Sequence, residues 1–170
     1  MTVPRPQITR VCIIGLGNTL AGDDGAGVAA VERLRIMYAD QTNRNDLSFH
    51  ILSGDLYGVT DLLSPVHRLV FIDAIEGIPP GRLQHIDEKD TAVPAVSLHQ
   101  LDIVTVMHSL ARLELCSPFP RWEIRCITIK TPSILTGFMS SPVEHAVDRL
   151  ISELSEEINS GFIFLAPCLQ

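Results

Sequence analysis

The sequence predicts one three-layer α/β/α domain, in which a mostly parallel twisted sheet carries helices on both faces. Short apolar runs alternate along the chain with helical spacings, which is the pattern of parallel strands connected by helices. The 170 residues suit a single domain spanning 1–170 and are enough to bury a core. A composition of 46% hydrophobic and 19% charged residues is typical of a compact folded protein.

The first half of the chain predicts three strands and two helices in alternation. The β-branched run in ITRVCIIGLG indicates a buried strand that ends in a glycine-rich loop. Val28, Val31, Leu34 and Tyr38 then recur at helical spacing. LSFHILS predicts a second strand, GVTDLLS a short helix, and RLVFIDAI an apolar strand covered on both faces. This alternation places the three strands side by side in one sheet.

The second half predicts two more strands and two longer helices. A turn at Pro79, Pro80 and Gly81 precedes the strand GRLQHIDE, and WEIRCITI alternates as another strand. A helix is expected over residues 99–115. Its predicted buried face is Ile103, Val106, Met107, Leu110 and Leu113. The apolar tail GFIFLAPCLQ suits either an added strand or a mobile end.

The last helix has the clearest predicted start. The segment from Ser141 to Glu144 fits an S-x-x-E capping box, with Pro142 at the first helical position. Its predicted buried face is Val143, Val147, Leu150, Ile151, Leu154 and Ile158. The helix should therefore pack along its whole length.

The net charge and the cysteine pattern argue against some classes of partner and indicate the cellular compartment. A net charge of −7 without a local Lys/Arg cluster argues against nucleic acid. The N-terminus has no secretory signal, and no apolar stretch reaches the roughly 18 residues that a membrane span needs. The four cysteines are scattered without a C-x-x-C pair, which suits reduced thiols. We therefore expect a soluble cytoplasmic protein without a membrane span.

The loop GLGNTLAGDDGAG follows the first strand where many α/β proteins bind a phosphate. Leu20 stands where a dinucleotide fingerprint has its third glycine, and Asp23 and Asp24 would repel a pyrophosphate. No G-K-S/T follows, which excludes a P-loop. No nucleotide cofactor is therefore expected, and a nucleotide-binding α/β protein is kept only as a third alternative.

A metal or acid–base site at the same sheet edge explains these carboxylates better. Asp24 follows the first strand, and Asp73 comes after a run of apolar residues in the strand LVFIDA. The carboxyl ends of parallel strands meet at one edge, so the two carboxylates should converge. His99 could add an imidazole, and such a mixed set suits nickel, zinc or iron. Asp23 alone suits a helix cap or a solvated turn.

Three segments resemble the hydrogenase maturation endopeptidases. GLGNTLAGDDGAGVAAVERL resembles their opening signature, G-x-G-N-x-L-x-x-D-D/E-x-x-G. VFIDAIEGIPPGRL and SLHQLD resemble two further blocks of that family in the same order. The resemblance implies a protein that removes a C-terminal peptide from the large-subunit precursor of a [NiFe] hydrogenase after nickel insertion. It also implies that Asp24, Asp73 and His99 bind the nickel of that precursor.

The resemblance leaves the catalytic step and one turn open. Asp24 and Asp73 are candidate catalytic residues, and either a metal-activated water or a carboxylate general base would hydrolyse the peptide bond. The enzyme would then be an aspartic-type or a metal-dependent endopeptidase, and we expect a monomer. The alternative is a non-catalytic, nickel-dependent module or chaperone that binds the precursor. Ser53-Gly54-Asp55-Leu56 replaces the family's Asp-Gly-Gly-Thr-like turn, which leaves the cognate hydrogenase open and adds Asp55 as a further carboxylate.

Overall fold

The computed structural model describes residues 10–40, 46–52, 54–89, 98–130 and 137–161, without the side chains of residues 98–102. Within these residues the chain forms five strands, three α-helices and two 3₁₀ helices. The strands and α-helices are β1 (Val11–Gly15), α1 (Ala26–Met37), β2 (Leu47–Ile51), β3 (Arg68–Glu76), β4 (Leu83–Asp87), α2 (Leu98–Arg112), β5 (Arg121–Ile129) and α3 (Ser141–Asn159). The first 3₁₀ helix is Thr19–Gly25, which is kinked at Ala21 and Gly22, and the second is Leu56–Leu62.

The sheet has the strand order β2-β1-β3-β5-β4 and confirms the predicted α/β class. β1 pairs in parallel with both β2 and β3, and β3 pairs in parallel with β5. Among the strands in the described residues, β4 alone runs antiparallel, at the edge beside β5. β1 ends at Gly15 opposite Ile72, whereas β3 continues to Glu76. Asp73 is thus the first residue of β3 beyond the end of β1.

Two apolar cores lie on opposite faces of the sheet. On one face α1 and α3 pack on the sheet, and every residue predicted for their buried sides is buried. On the other face α2 packs with the second 3₁₀ helix, through residues such as Ile103, Met107 and Val59. The fully buried Phe71 of β3 belongs to this second core. The sheet is therefore covered on both faces, which explains why its central strands are almost wholly apolar.

Two helix ends differ from the prediction. The residue that caps α3 is Ser140, not Ser141, because the carbonyl of Ser140 accepts the hydrogen bonds from Val143 and Glu144. Its hydroxyl makes no capping bond within the helix. The predicted buried face of α2 is wrong at Leu113, which is 65% exposed, because the helix ends at Arg112.

Two predictions fall on residues that the structure does not describe. A third, that the chain has no membrane span, concerns the described helices. The predicted tail lies almost entirely beyond residue 161, and Ser53 of the unusual turn is not described either. Among the described helices none combines the length and the apolar character that crossing a membrane requires.

Candidate functional site

A cavity of about 220 Å³ opens at the carboxyl end of β1. The connection after β1 leads to β2 on one side, whereas the connection after the adjacent β3 leads to β4 on the other side. In open α/β sheets such a switch point is where ligands bind. The cavity is lined by Leu16, Gly17, Asp24, Leu52, Gly54, Leu56 and Asp73.

The loop after β1 holds Asp24 in place through its backbone. The N–H of Asn18 donates to Oδ2 of Asp24 at 2.9 Å. The side chain of Asn18 accepts from the N–H of Leu20 at 3.0 Å and so caps the first 3₁₀ helix. Gly17 has a φ of 117° and lies against the carbonyl of Asp24, where a Cβ atom would collide. The glycine is required because no other residue combines this φ with this approach.

Asp73 brings the second carboxylate to the cavity from the interior of β3. Its side chain is buried, with 3% of the residue exposed. Oδ1 accepts a hydrogen bond from the N–H of Ala74 at 2.8 Å. The structure thus brings Asp24 and Asp73 to one cavity, as expected from the parallel strands, although their catalytic and metal-binding roles stay predictions.

The third predicted ligand, His99, is the second residue of α2, and its side chain is not among those described. Among the described residues no group of three His, Cys, Asp or Glu side chains is arranged to hold a metal ion. The described part of the site therefore supplies two carboxylates. Carboxylate oxygens with an imidazole nitrogen are donors that suit a divalent transition-metal ion.

Asp23 and Asp55 have structural contacts instead. Asp23 accepts two hydrogen bonds from Ser140, one from the backbone N–H and one from the hydroxyl at 2.8 Å. Its negative charge therefore lies at the N-terminus of α3, where the helix dipole favours it. Asp55 is exposed and caps the second 3₁₀ helix by accepting from the N–H of Tyr57 at 2.9 Å. It does not line the cavity.

Comparison with known proteins identifies the family. A sequence model described as "Hydrogenase maturation protease" matches residues 53–160, which is more than half of the chain. The chain belongs to the hydrogenase maturation protease family.

Individual members of the family show the same likeness. The hydrogenase expression/formation protein HupD of Bradyrhizobium diazoefficiens is 33% identical over 117 residues, which cover 65% of this chain and 58% of that protein. HupD of Rhodobacter capsulatus is 29% identical over 167 residues, which cover 93% of this chain and 75% of that protein. The chain thus spans less than two thirds of the Bradyrhizobium relative. A crystal structure of the [NiFe] hydrogenase maturation protease HycI from Thermococcus kodakarensis KOD1 shares the fold, with a TM-score of 0.72, 22% identity, and coverage of 91% and 95% of the two chains.

This member of the hydrogenase maturation protease family also carries a buried ion network that the sequence analysis missed. Glu123 of β5 is 4% exposed and contacts Arg68 at 2.7 Å, Arg125 at 3.0 Å and His85 at 2.9 Å. Arg125 also contacts Glu157 of α3 at 2.9 Å. Burial alone would raise the pKa of Glu123, but the hydrogen bond with His85 and the two guanidinium groups outweigh it and lower the pKa to about 2.

The network lies away from the cavity. Arg68 begins β3 and Glu123 lies near the start of β5, whereas the cavity opens where β1 ends. Charged residues that alternate along a strand predict that this side of the strand faces solvent. In the structure, however, α3 covers this side of the sheet. Its Glu157 completes the network. The network therefore stabilises the contact between sheet and helix.

Proposed function

We propose that this protein is an endopeptidase that removes a C-terminal peptide from the nickel-loaded large-subunit precursor of a [NiFe] hydrogenase. Membership of the hydrogenase maturation protease family supports a processing role. The location proposed for the active site is supported by one observation: Asp24 and Asp73 line one cavity at the switch point of the sheet.

The pair gives a physical reason for recognising a metal-loaded substrate. Two carboxylates that face one small cavity repel each other, and a cation between them removes that repulsion. Asp24 and Asp73 each accept a backbone N–H, from Asn18 and Ala74, so the carboxylates are positioned before the substrate arrives. In this proposal the substrate's nickel binds to both, with His99 as the third ligand. A precursor without nickel binds more weakly, and this difference in affinity makes the protein specific for the nickel-loaded precursor.

The same side chains serve both routes to hydrolysis. In one route Asp24 or Asp73 accepts the proton of the water that attacks the scissile carbonyl. In the other, the substrate's own metal ion activates that water. Both routes need the two carboxylates, so neutral variants lose cleavage under either.

The test follows the mass of a precursor incubated with the purified protein. We expect fragment loss from the nickel-loaded form and none from the nickel-free form. Asp24→Asn and Asp73→Asn should reduce the rate by about 100-fold or more, because a general base or a metal ligand is lost. His99→Ala should weaken nickel-dependent binding. Asp55→Asn is the matched control, since this nearby carboxylate is exposed and does not line the cavity.

Two results would contradict the proposal. If wild type leaves the cognate nickel-loaded precursor intact, the protein is not its endopeptidase. Nickel-dependent complex formation without cleavage would establish the binding-module function in its place. If Asp24→Asn and Asp73→Asn cleave like the Asp55→Asn control, the site is elsewhere.

A further inference from the structure

We propose that a surface beside the carboxylate cavity, here called the apolar rim, docks an apolar segment of the substrate polypeptide. The rim comprises segments 17–22, 77–81 and 137–143, with Leu20, Ile78 and Phe138 as their exposed apolar side chains. The inference rests on the proposed function, because its occupant is the polypeptide that is processed at the cavity.

Each of the three segments exposes one large apolar side chain to solvent. Leu20 is 66% exposed, Phe138 85% and Ile78 90%. Single exposed apolar residues are common, but several on adjoining segments mark an interaction surface. Met37, Tyr57 and Leu115 are exposed as well. Ile36 and Leu113 are also exposed, but they lie at or beyond the C-terminal ends of α1 and α2, which belong to opposite faces of the sheet. Those two residues therefore form no common surface.

Direct contacts join the three segments of the rim. The two hydrogen bonds between Ser140 and Asp23 connect the start of α3 to the first 3₁₀ helix. Gly81 packs so closely on Pro142 that a Cβ atom there would collide with the Pro142 carbonyl. The side chain of Arg149 also donates to the carbonyl of Gly81 at 2.7 Å. The segments therefore adjoin one another around the N-terminus of α3.

The rim is apolar at its centre and has charged residues at its edges. Its segments read GNTLAG, GIPPG and GFMSSPV, and the charged residues Asp23, Glu76, Arg82 and Glu144 directly adjoin them. Depletion of charged residues distinguishes the core of a protein interface from the rest of the surface. The centre of this surface therefore favours an apolar partner segment.

The position of the rim identifies its occupant. Gly17 of the rim itself lines the cavity together with Asp24, so the rim and the cavity adjoin. A cavity of about 220 Å³ holds a few side chains only. A polypeptide cleaved there must continue over the surrounding surface, and the rim is an apolar part of it.

Hydrogen bonds to β5 fix segment 77–81 of the rim. The hydroxyl of Thr128 donates to the carbonyl of Pro79 at 2.7 Å, and the N–H of Gly81 donates to the carbonyl of Thr128 at the same distance. The N–H of Gly77 donates to the carbonyl of Ile129 at 2.9 Å. A surface fixed in advance binds without the entropic cost of ordering it.

The test compares two double variants that remove similar exposed apolar residues. Leu20→Gln/Ile78→Gln alters the rim, and Leu113→Gln/Ile36→Gln is the control with the same residue types at comparable exposure. The probe is the nickel-loaded precursor, with Kd measured by biolayer interferometry and kcat and KM measured from the precursor mass. We expect the rim variant to raise Kd and KM about tenfold with kcat within about twofold, and the control to change neither by more than about twofold.

The possible outcomes separate the two proposals. If wild type cleaves the precursor and the rim variant matches the control, the rim inference is overturned and the proposed function stands. If wild type binds without cleaving, the endopeptidase proposal is wrong, and the Kd values still test whether the rim docks the precursor. Absence of any binding overturns both. A wild-type dimer in sedimentation that the rim variant abolishes would show that a second copy of the chain occupies this surface, and would overturn substrate docking.

Discussion

At the scale of single residues, the adjacent carboxylates of the glycine-rich loop have separate tasks. Asp24 lines the cavity and accepts from the N–H of Asn18. Asp23 accepts from Ser140 at the start of α3. Successive residues of a 3₁₀ helix point about 120° apart, because the helix has three residues per turn. One carboxylate can therefore face the cavity while its neighbour fixes the loop that carries it.

Removal of the Asp23 side chain should destabilise the protein. We expect Asp23→Ala to lower the free energy of unfolding by about 1 kcal/mol, as for the loss of a helix cap, and Ser140→Ala to lower it by less, because the backbone N–H remains. Urea denaturation of the two single variants and the double variant measures this. The double variant should lose less than the sum of the single losses, since both changes remove one shared contact. Strictly additive losses would show that the contact contributes nothing.

At the scale of elements, the close approach of α1 to the sheet determines where the cavity lies. Gly27 in the first turn of α1 lies against the carbonyls of Ile72 and Leu16, where a Cβ atom would collide with both. Ile72 directly precedes Asp73, and Leu16 lines the cavity. The packing of this helix and the geometry of the site are therefore coupled.

A methyl group at Gly27 should disturb both stability and activity. We expect Gly27→Ala to lower the free energy of unfolding by about 2 kcal/mol or more, because rigid backbone atoms block the new side chain. Gly58→Ala is the control, since its nearest obstacle is the flexible side chain of Leu52 at 3.3 Å. Thermal or urea unfolding of both variants, with the cleavage assay in parallel, measures the effect. Equal stabilities of the two variants would contradict the prediction.

The elements and the two cavity carboxylates could be predicted because local patterns determine them. The apolar spacing of α1 and α3 and the short apolar strands identify the layers, and parallel strands bring Asp24 and Asp73 to one edge. The end of α2 could not be predicted, because apolar spacing continues past Arg112 to Leu113, while Glu114 has a φ of 50° and leaves the helix. The contact between Asp23 and Ser140 spans 117 residues, and no local pattern encodes it.

At the scale of the whole molecule, the ion network around Glu123 connects three strands to α3. Its members come from β3, β4, β5 and α3. Glu123 is almost fully buried, so its charge depends on the surrounding Arg68, Arg125 and His85. The stability of this arrangement must therefore depend on pH.

Acid should remove the stability that this network supplies. The pKa of Glu123 is lowered to about 2 in the folded protein, from 4.5. Its contribution is therefore fully present above pH 4.5 and is lost as the pH falls towards 2, and the linkage amounts to about 3 kcal/mol. Unfolding free energies of wild type and Glu123→Gln from pH 7 to pH 2 measure this. We expect the variant to be less stable at pH 7 and to have a flatter profile. The control, exposed Glu153→Gln, should follow wild type, and a Glu123→Gln profile parallel to wild type would contradict the assignment.

The bond between Asp23 and Ser140 has a consequence for the timing of synthesis. The loop that carries Asp24 is made early, but its anchor is made 117 residues later. At about 5–20 residues per second, a ribosome needs roughly 6 to 23 seconds to cover that distance. During this interval the nascent chain has its glycine-rich loop but not the helix end that holds it. A nascent or truncated chain without residue 140 therefore has the loop of Asp24 without its contact to the start of α3.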